Sequence, residues 1–288
     1  MANGEFALYV FGISHKTAGV EIREKLQLTR KEIPEALSFI KLNEAVEGVT
    51  IITTCNRIEF YLVVRAGVSP LEIIAPFYFT RKNIKIREYH RQFYLYENLD
   101  AARHMFRVIS GLDSLVLGEY QVQGQVKEGY SIACEAKTVD KVLHKLFHAA
   151  FRAGKKVRTE TGISEGRQSV SGVASQVIIE NTGNNERIAI FGVNENTKIL
   201  AEELKKAGYG NFTFVNRTVY KAEVMAEQFG GSAAGLDQTE RILFESKAVF
   251  TSTGAPGFIV GSEMLRRLCV QDRCPSLIID MAVPRDFE

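Results

Sequence analysis

Cys55 and Arg57 lie in the short polar stretch TTCNR, residues 53–57, which directly follows the apolar run 48–52. A β-branched run that ends at small polar residues predicts a strand that presents side chains at the edge of a sheet. A free thiol is weakly ionised at neutral pH because its unperturbed pKa is about 8.5, and a neighbouring cation such as Arg57 favours the thiolate. Cys55 is therefore a candidate nucleophile, and the alternative is a small buried hydrophobic residue.

The elements around this stretch predict an α+β domain. A predicted strand over 8–13 is followed by a helix over 20–26 and by a second helix that Thr29 could cap. Strands ending at 55 and spanning 58–64 come next. The last two strands would form an antiparallel pair with Cys55 at its corner. A further helical period over 99–109 carries His104 at the boundary between its apolar and basic faces. His104 alone is compatible with an ordinary surface residue.

A helical period over 141–157 separates an apolar side from a basic side. The basic side carries Lys141, Lys145, Arg152 and Lys156, with His144 and His148 at its flanks. Such a side is either a solvated face or a surface that contacts phosphates, and the sequence leaves both open. The HxxxH spacing has no third ligand nearby, so we predict no metal site.

The second half of the chain alternates strands and helices. The predicted order is a helix over 169–180, a strand over 187–192, a helix over 197–207, a strand over 212–215 and a helix over 220–229. A last strand spans 276–281. This series predicts an α/β Rossmann-type domain. We therefore expect an N-terminal domain over 1–160, a linker over 161–168 and a nucleotide-binding domain over 169–288.

The first strand of that domain is followed by an incomplete GxGxxG dinucleotide-binding motif. A GxGxxG loop would need glycine at 192, 194 and 197, where the chain has Gly192, Asn194 and Thr197. The Asn194 side chain would intrude where a pyrophosphate approaches the backbone, which predicts weaker or shifted binding. The candidate loop comprises Gly192, Val193, Asn194, Glu195, Asn196 and Thr197.

A second candidate loop follows the strand over 212–215. It comprises Asn216, Arg217 and Thr218. An arginine at this position suits the 2′-phosphate of NADP, whereas a NAD-binding domain usually places an acid there. The alternative is a surface arginine at a turn.

Composition places the chain among globular proteins with two domains. It has 288 residues, 45% hydrophobic and 24% charged, with a net charge of +2. No apolar run approaches the roughly eighteen residues of a membrane span, and the N-terminus lacks a secretory signal. Four cysteines without a CxxC pair predict reduced thiols and no zinc site. We expect a cytoplasmic protein without a membrane partner.

Three long stretches in one order resemble the glutamyl-tRNA reductase family. They are GISHKTAGVEIREKL at 12–26, TTCNRIEFYL at 53–62 and GLDSLVLGEYQVQGQVKEGY at 111–130, and the resemblance extends over residues 12–286. It implies NADPH-dependent reduction of glutamyl-tRNA(Glu) to glutamate-1-semialdehyde through a cysteine thioester, the first step of tetrapyrrole synthesis from glutamate.

The resemblance also assigns residues. It implies that Cys55 and His104 are catalytic, with His104 exchanging a proton with the thiol or with the departing ribose oxygen. The implied substrate contacts are Thr54, Asn56, Arg57, Ser114, Glu119, Tyr120, Gln121 and Gln125. Chemically, Arg57 would bind the γ-carboxylate with its two-pronged guanidinium and Glu119 would bind the α-ammonium. Tyr120 departs from the proline that is usual in the family.

The partners that the resemblance implies are glutamyl-tRNA(Glu) and the aminomutase that consumes glutamate-1-semialdehyde. A spine helix and dimerisation domain would follow residue 288 in the full-length family, which forms homodimers, so the assembly of this shorter chain stays open. Two alternatives remain. One is a non-reducing glutamyl-tRNA binding or regulatory homologue, which Asn194 favours. The other is a general NADP-dependent dehydrogenase of the shikimate type, which leaves TTCNR without a role.

Overall fold

The chain folds into two compact units, Met1–Arg167 and Gln168–Glu288, in a computed structural model. The structure describes residues 5–119, 121–161, 163, 169–271 and 273–288. Most of the predicted linker, 161–168, lies outside the described residues.

Unit 1 contains a four-stranded sheet with helices on both faces. Its strands are β1 (Phe6–Ser14), β2 (Val46–Thr54), β3 (Arg57–Arg65) and β4 (Tyr94–Glu97). Its helices are α1 (Val20–Leu26), α2 (Glu32–Lys41), α3 (Pro70–Lys82), α4 (Asn98–Ile109), α5 (Gln121–Glu135) and α6 (Lys141–Thr161), with a 3₁₀ helix at Ile86–Gln92. The predicted α+β class of this half is confirmed.

The sheet of unit 1 has the order β2-β3-β1-β4, and each neighbouring pair is antiparallel. Successive residues of β3 alternate between two cores: Phe60 and Leu62 pack with α2 and α3, while Tyr61 and Val63 pack with α4 and α6. Because both faces are covered, β3 is buried over its whole length except Arg65. Thr54 pairs with Arg57, so only two residues, 55 and 56, make the turn between β2 and β3.

Unit 2 is a parallel sheet between helices. Its strands are β5 (Ile188–Phe191), β6 (Phe212–Val215), β7 (Ser232–Ala234), β8 (Ala248–Thr251) and β9 (Leu277–Asp280). Its α-helices are α7 (Val170–Asn181), α8 (Glu195–Lys206), α9 (Val219–Phe229), α10 (Thr239–Glu245) and α11 (Ser262–Val270). The order β7-β6-β5-β8-β9 places β6 and β8 on opposite sides of β5. This confirms the predicted Rossmann-type fold, whose ligands bind where strand order reverses.

The strands of unit 2 are short apolar runs because helices cover both faces of the sheet. β5, β6 and β8 are buried at every position. Carboxyl ends of parallel strands meet at one edge, so the loops after β5, β6 and β8 lie together. That edge contains both predicted nucleotide loops.

One prediction about the cysteines is wrong. Cys269 and Cys274 form a disulfide, whereas Cys55 and Cys134 are free. The chain turns back after α11 ends, which brings the two Cα atoms to 4.7 Å although the spacing is not a CxxC pair.

The described residues form neither a membrane-spanning helix nor a metal-ligand cluster. None of their helices combines the length and the apolar character that a membrane span requires. In the same part of the chain, no group of three or more His, Cys, Asp or Glu side chains is arranged to hold a metal ion.

Candidate active site

The turn between β2 and β3 presents Cys55 on a rigid support. The Thr54 side-chain oxygen accepts hydrogen bonds from the backbone N–H groups of Asn56, at 3.1 Å, and Arg57, at 3.2 Å. The backbone N–H of His15, from the loop after β1, donates to the Asn56 carbonyl at 2.8 Å. Cys55 itself is half-buried and its thiol is free. The turn is therefore fixed from both sides.

A buried charged cluster lies directly behind this turn, on the face of β3 that packs against α4. Arg57 Nη1 donates to Glu59 Oε1 at 2.7 Å. The same oxygen accepts hydrogen bonds from His104 Nε2 at 2.7 Å and from the Tyr94 hydroxyl at 2.6 Å. Glu59 Oε2 accepts from the Tyr61 hydroxyl at 2.7 Å. Glu59 is thus a fully buried carboxylate surrounded by four donors.

The ionisation of this cluster follows from its contacts. Burial raises the pKa of Glu59, but the positive charge of Arg57 and the contact with His104 outweigh it, and the pKa lies well below its ordinary value. Burial and the negative charge of Glu59 hold the pKa of Tyr61 far above its ordinary value. Glu59 is therefore an anion and Tyr61 a neutral donor across the physiological range.

Arg57 also ties the hairpin to the segment before α5. Its Nη2 donates to the backbone carbonyl of Asp113 and lies 3.3 Å from Asp113 Oδ2. Lys16 donates to the other carboxylate oxygen of Asp113. Although burial raises the pKa of Asp113, the hydrogen bond from Lys16 and the charge of Arg57 lower it overall. Asp113 thereby joins the loop after β1, the start of β3 and the stretch that leads to Glu119.

The surroundings of Cys55 favour the neutral thiol. Burial raises its pKa to about 11, and the negative charge of Glu119 adds to the rise. Arg23 and Arg57 lower the pKa by smaller amounts. The neutral thiol therefore predominates at pH 7. Arg57 does lower the pKa of Cys55, as predicted, but burial and the negative charge of Glu119 outweigh it, so the net shift is upward.

Unpartnered polar atoms cluster around the same turn. Arg23 of α1 donates one hydrogen bond to the Cys55 carbonyl, yet its Nε is buried without a partner among the described residues. Gln27 donates to the Thr54 carbonyl at 3.5 Å, and its Oε1 is likewise unpartnered. His15 Nδ1 is a third such atom. Buried polar atoms are normally satisfied, so these three are where a polar ligand would find hydrogen-bonding partners.

The nucleotide edge of unit 2 is arranged around Gly192, which ends β5 with a φ of 91°. A Cβ at this position would collide with the backbone carbonyl oxygen of Ser252, in the loop after β8. Only glycine meets both conditions without strain. Gly192 therefore allows the loops after β5 and β8 to approach each other closely.

The Asn194 side chain caps α8 and contacts the loop after β8. Its side-chain oxygen accepts from the backbone N–H groups of Asn196, at 2.9 Å, and Thr197, at 3.2 Å, and Thr197 Oγ1 accepts from the Asn194 N–H. This capping box begins α8. The Asn194 amide also donates to the Ser252 carbonyl. Its side chain is thus committed to the loop, and two of the amides that could bind a phosphate are already used.

A cavity of about 310 Å³ lies at this edge, lined by Gly192, Asn216, Arg217, Leu236, Thr253 and Pro256 among others. Arg217 is exposed, and Asn216 donates its side-chain N–H to the Thr218 carbonyl at 2.9 Å. Apolar walls with an exposed cation at the end of β6 fit the adenosine and 2′-phosphate of a dinucleotide.

Buried Asp286 fixes one wall of that cavity. Its carboxylate accepts hydrogen bonds from the hydroxyls of Thr251 and Thr253 and from the Thr253 N–H at 3.2 Å. Burial raises its pKa above the ordinary value, although these hydrogen bonds oppose the rise. Asp286 thus holds the loop after β8 in place, a role that no pattern in the sequence indicated.

Comparisons with known proteins now identify the family. A family model described as the N-terminal domain of glutamyl-tRNA(Glu) reductase matches residues 11–161, more than half of the chain. The chain belongs to the glutamyl-tRNA reductase family. A model of shikimate and quinate 5-dehydrogenases matches residues 174–288, which agrees with the nucleotide-binding fold of unit 2.

Several glutamyl-tRNA reductases are similar over nearly the whole chain. The protein of Thermodesulfovibrio yellowstonii is 37% identical over 98% of this chain and 68% of its own length. That of Natranaerobius thermophilus is 35% identical, over 98% and 62% respectively. The solved glutamyl-tRNA reductase from Methanopyrus kandleri is 30% identical, with a TM-score of 0.49, covering 98% of this chain and 67% of that one. The chain spans about two thirds of the length of the curated relatives it matches.

Within this glutamyl-tRNA reductase fold, the remaining predicted substrate contacts lie before and on α5. Ser114 and Glu119 are half-buried in the preceding segment, and burial raises the pKa of Glu119 although Arg57 opposes it. Gln121 and Gln125 are half-buried on the first turns of α5. Tyr120 lies outside the described residues. In unit 2, Val193 and Glu195 flank the Asn194 cap.

Two predicted residues have surroundings that the sequence did not indicate. Arg57 is 1% exposed and bound to Glu59 and Asp113, so it does not present a free two-pronged guanidinium. His104 is buried against Glu59 rather than at the surface, so the surface alternative is wrong.

Sequence reasoning missed Glu59, Asp113 and Arg23. For Glu59 a signal existed, since Arg57, Glu59 and Tyr61 alternate along one face of a strand.

Proposed function

We propose that this chain carries out the NADPH-dependent reduction of glutamyl-tRNA(Glu) to glutamate-1-semialdehyde, with Cys55 as the nucleophile. The observation that carries this proposal is the free, half-buried Cys55 thiol at a rigid turn, next to Glu119 and to unpartnered donors and acceptors of Arg23, Gln27 and His15 among the described residues. An activated amino-acid ester brings complementary charges and polar groups to such a place.

In the first step, Cys55 would attack the ester carbonyl carbon of the aminoacyl group. A sulfur–carbon bond forms, the bond from carbon to the ribose oxygen breaks, and the thiol proton ends on that oxygen as the tRNA leaves. The glutamyl group stays on Cys55 as a thioester. His104, with Nε2 fixed by Glu59 at 2.7 Å, is the proposed proton carrier.

Substrate binding would itself activate the thiol. Glu119 raises the pKa of Cys55, and an α-ammonium bound to Glu119 neutralises that effect. The thiolate then becomes more accessible once the correct ligand is bound. For the γ-carboxylate, Arg23 offers a guanidinium whose Nε lacks a partner among the described residues, whereas Arg57 is already engaged by two acids. We therefore extend the set of substrate contacts to Arg23.

The cofactor would occupy the edge of unit 2. Gly192, Asn216, Arg217 and Thr253 line the cavity that fits the adenosine end, with Arg217 at the 2′-phosphate. When bound, NADPH would supply the hydride that reduces the thioester to the aldehyde and frees the sulfur. Asn194 keeps two α8 amides engaged, so we expect the pyrophosphate to rely on other donors.

The partners in this proposal are glutamyl-tRNA(Glu) as the substrate and the glutamate-1-semialdehyde aminomutase as the consumer of the product. A homodimer is proposed for the full-length family only. Co-sedimentation of the chain with the aminomutase tests the second partner.

The decisive experiment is intact-mass spectrometry after single-turnover incubation with glutamyl-tRNA. We expect the wild-type chain to gain the mass of one glutamyl group in the absence of NADPH and to release it slowly to water. Cys55→Ser should show no adduct, and Cys134→Ser, the other free cysteine, should react like the wild type. An adduct that persists in Cys55→Ser identifies another nucleophile and contradicts the mechanism.

The non-reducing alternative is tested by adding NADPH. We expect the thioester to disappear with formation of the aldehyde, trapped as an oxime. An adduct that NADPH leaves unchanged, with no binding in an NADPH titration, would favour the binding or regulatory alternative that the Asn194 cap supports.

A further inference from the structure

One side of α6 carries a continuous basic surface, called the basic face here. All its side chains are exposed: Lys141, His144, Lys145, His148, Arg152, Lys155 and Lys156. At about 100° per residue they fall within an arc of roughly 120°. The opposite side of the helix packs into the core through Leu143, Phe147 and Ala150. His144 and His148 contact the Tyr130 hydroxyl, at 2.7 and 3.1 Å, whereas the lysine and arginine side chains of the basic face form a row of exposed cations.

The acidic groups on and beside α6 do not cancel the charge of the basic face. Lys156 lies 3.9 Å from Glu160, at the limit of an ion pair. Asp140 caps the start of α6 by accepting from the N–H groups of Val142 and Leu143. Because the whole chain has a net charge of only +2, five lysines and arginines on one face are a local concentration of charge.

The C-terminal end of α6 contacts the segment that holds the candidate substrate residues. Arg158 Nη1 donates to the carbonyl of Ile109, the last residue of α4, at 3.1 Å, and its Nη2 donates to Gln123 of α5. A Cβ on Gly118, next to Glu119, would collide with the carbonyl of Ile163, just beyond α6. The C-terminal end of α6 therefore lies beside the stretch that leads to Glu119, and the basic face extends back from near that end over residues 141–156, about 24 Å.

We propose that the basic face binds the phosphates of the acceptor stem while the 3′ aminoacyl end reaches Cys55. The proposal rests on the proposed function and adds the surface that holds the tRNA. A-form RNA is recognised mainly through its phosphates and shape, for which a straight row of flexible cations is suited. The occupant is a polyanion because the face offers hydrogen-bond donors and positive charge. Because the end of α6 lies beside the stretch that leads to Glu119, the stem nearest the aminoacyl ester is the part of the tRNA that this face would reach.

The test is binding of an acceptor-stem minihelix RNA, uncharged, to the full chain. The variant is Lys145→Gln/Arg152→Gln/Lys155→Gln. The matched control is Lys31→Gln/Arg65→Gln/Lys85→Gln, which removes the same charge from exposed positions elsewhere in unit 1. We expect the variant to bind roughly tenfold more weakly at moderate salt, with the salt slope reduced by up to about 0.9 for each phosphate that is no longer neutralised. The control should retain the wild-type slope.

Equal binding by the variant and the control, at either a reduced or an unchanged level, would overturn the proposal. If both triple variants bind the RNA equally weakly, only the net charge of the chain matters. If both bind it as tightly as the wild type, the basic face is an ordinary solvated surface. A loss that is equally large for a single-stranded RNA of the same length would likewise count against an acceptor-stem surface.

A second measurement separates this proposal from the proposed function. Acylation of Cys55 by 3′-O-glutamyl-adenosine, which has no stem, is compared with acylation by glutamyl-tRNA. We expect the variant to react normally with the small ester and slowly with the tRNA. If the wild type reacts with neither glutamyl ester, the proposed Cys55 chemistry is contradicted. Binding of the minihelix RNA still tests the proposed role of the basic face independently.

Discussion

The candidate site of unit 1 depends on buried charges, whereas the nucleotide edge of unit 2 depends on backbone geometry and mostly neutral hydrogen bonds. In unit 1, Arg57, Glu59 and Asp113 neutralise one another beneath the Cys55 turn. In unit 2, Gly192 allows two loops to approach and Asn194 caps α8, with Asp286 as a buried acid that fixes the neighbouring loop.

This difference matches what each site would have to do under the proposed function. A thiol with a pKa of about 11 needs an electrostatic setting that a substrate can change, and buried charges provide one. A dinucleotide needs a preformed surface against its phosphates, and fixed backbone provides that. The two sites should therefore differ in how they respond to single substitutions.

The largest effect is expected for Arg57→Leu, which leaves Glu59 as a buried carboxylate without its main counter-charge. We expect a loss of about 3 to 5 kcal/mol in the stability of unit 1. Native-state hydrogen exchange of β2 and β3 measures it within that unit. The matched control is Arg103→Leu, since Arg103 and its partner Asp100 are two-thirds exposed and should contribute little.

The double variant Arg57→Leu/Glu59→Gln sharpens this test. With no unpaired charge buried, it should be more stable than the single variant. The pH dependence supplies a second check. Because the folded pKa of Glu59 lies below its ordinary value of 4.5, its contribution is present above that pH and is lost as the pH falls further. A single variant as stable as Arg103→Leu would show that the cluster is not a stabilising unit.

A smaller effect is expected for Gly192→Ala in unit 2. The positive φ of 91° and the collision of a Cβ with the Ser252 carbonyl should cost roughly 1 to 3 kcal/mol. Hydrogen exchange of β5 and β8 reports the change, and titration with NADPH should show weaker binding. Gly210→Ala serves as the control, since a Cβ there meets no atom of the described residues within 4 Å. Equal behaviour of the two variants would contradict the close approach of the loops.

Asn194 offers a graded test of the cap. Asn194→Ala removes the capping box and should cost about 1 kcal/mol, whereas Asn194→Gly should cost only a few tenths. Because glycine also releases the amides of Asn196 and Thr197, we expect Asn194→Gly to bind NADPH more tightly than the wild type. Tighter binding by Asn194→Ala but not by Asn194→Gly would argue against this explanation.

The smallest change in stability, with a clear chemical effect, is expected for Glu119→Gln. Removing this negative charge lowers the pKa of Cys55, so the thiol should react with iodoacetamide at lower pH than in the wild type. The pH profile of alkylation, followed by mass spectrometry in a Cys134→Ser background, measures it. Glu128→Gln, at an exposed position of α5, is the control. An unchanged profile would mean that burial alone sets the pKa.

Much of the fold could be predicted from local sequence. The period of 3.6 along residues 141–157 predicted α6, and the short apolar runs at 188–191 and 212–215 predicted buried parallel strands. The candidate nucleophile was also visible, because Cys55 follows a β-branched run and precedes a second strand. These features depend on neighbours in the chain, which the sequence contains directly.

What the tertiary structure alone decided is the set of partners that each polar group has. Arg57 was expected to face a ligand and instead meets Asp113, 56 residues away, while His104 meets Glu59 across 45 residues. Asp286 reaches Thr253 in the same way. The pKa of Cys55 depends on burial and on Glu119, neither of which its neighbours in sequence reveal. Residue types and periods fix which groups exist and which face they occupy, but ionisation depends on distances in space, and only folding sets those.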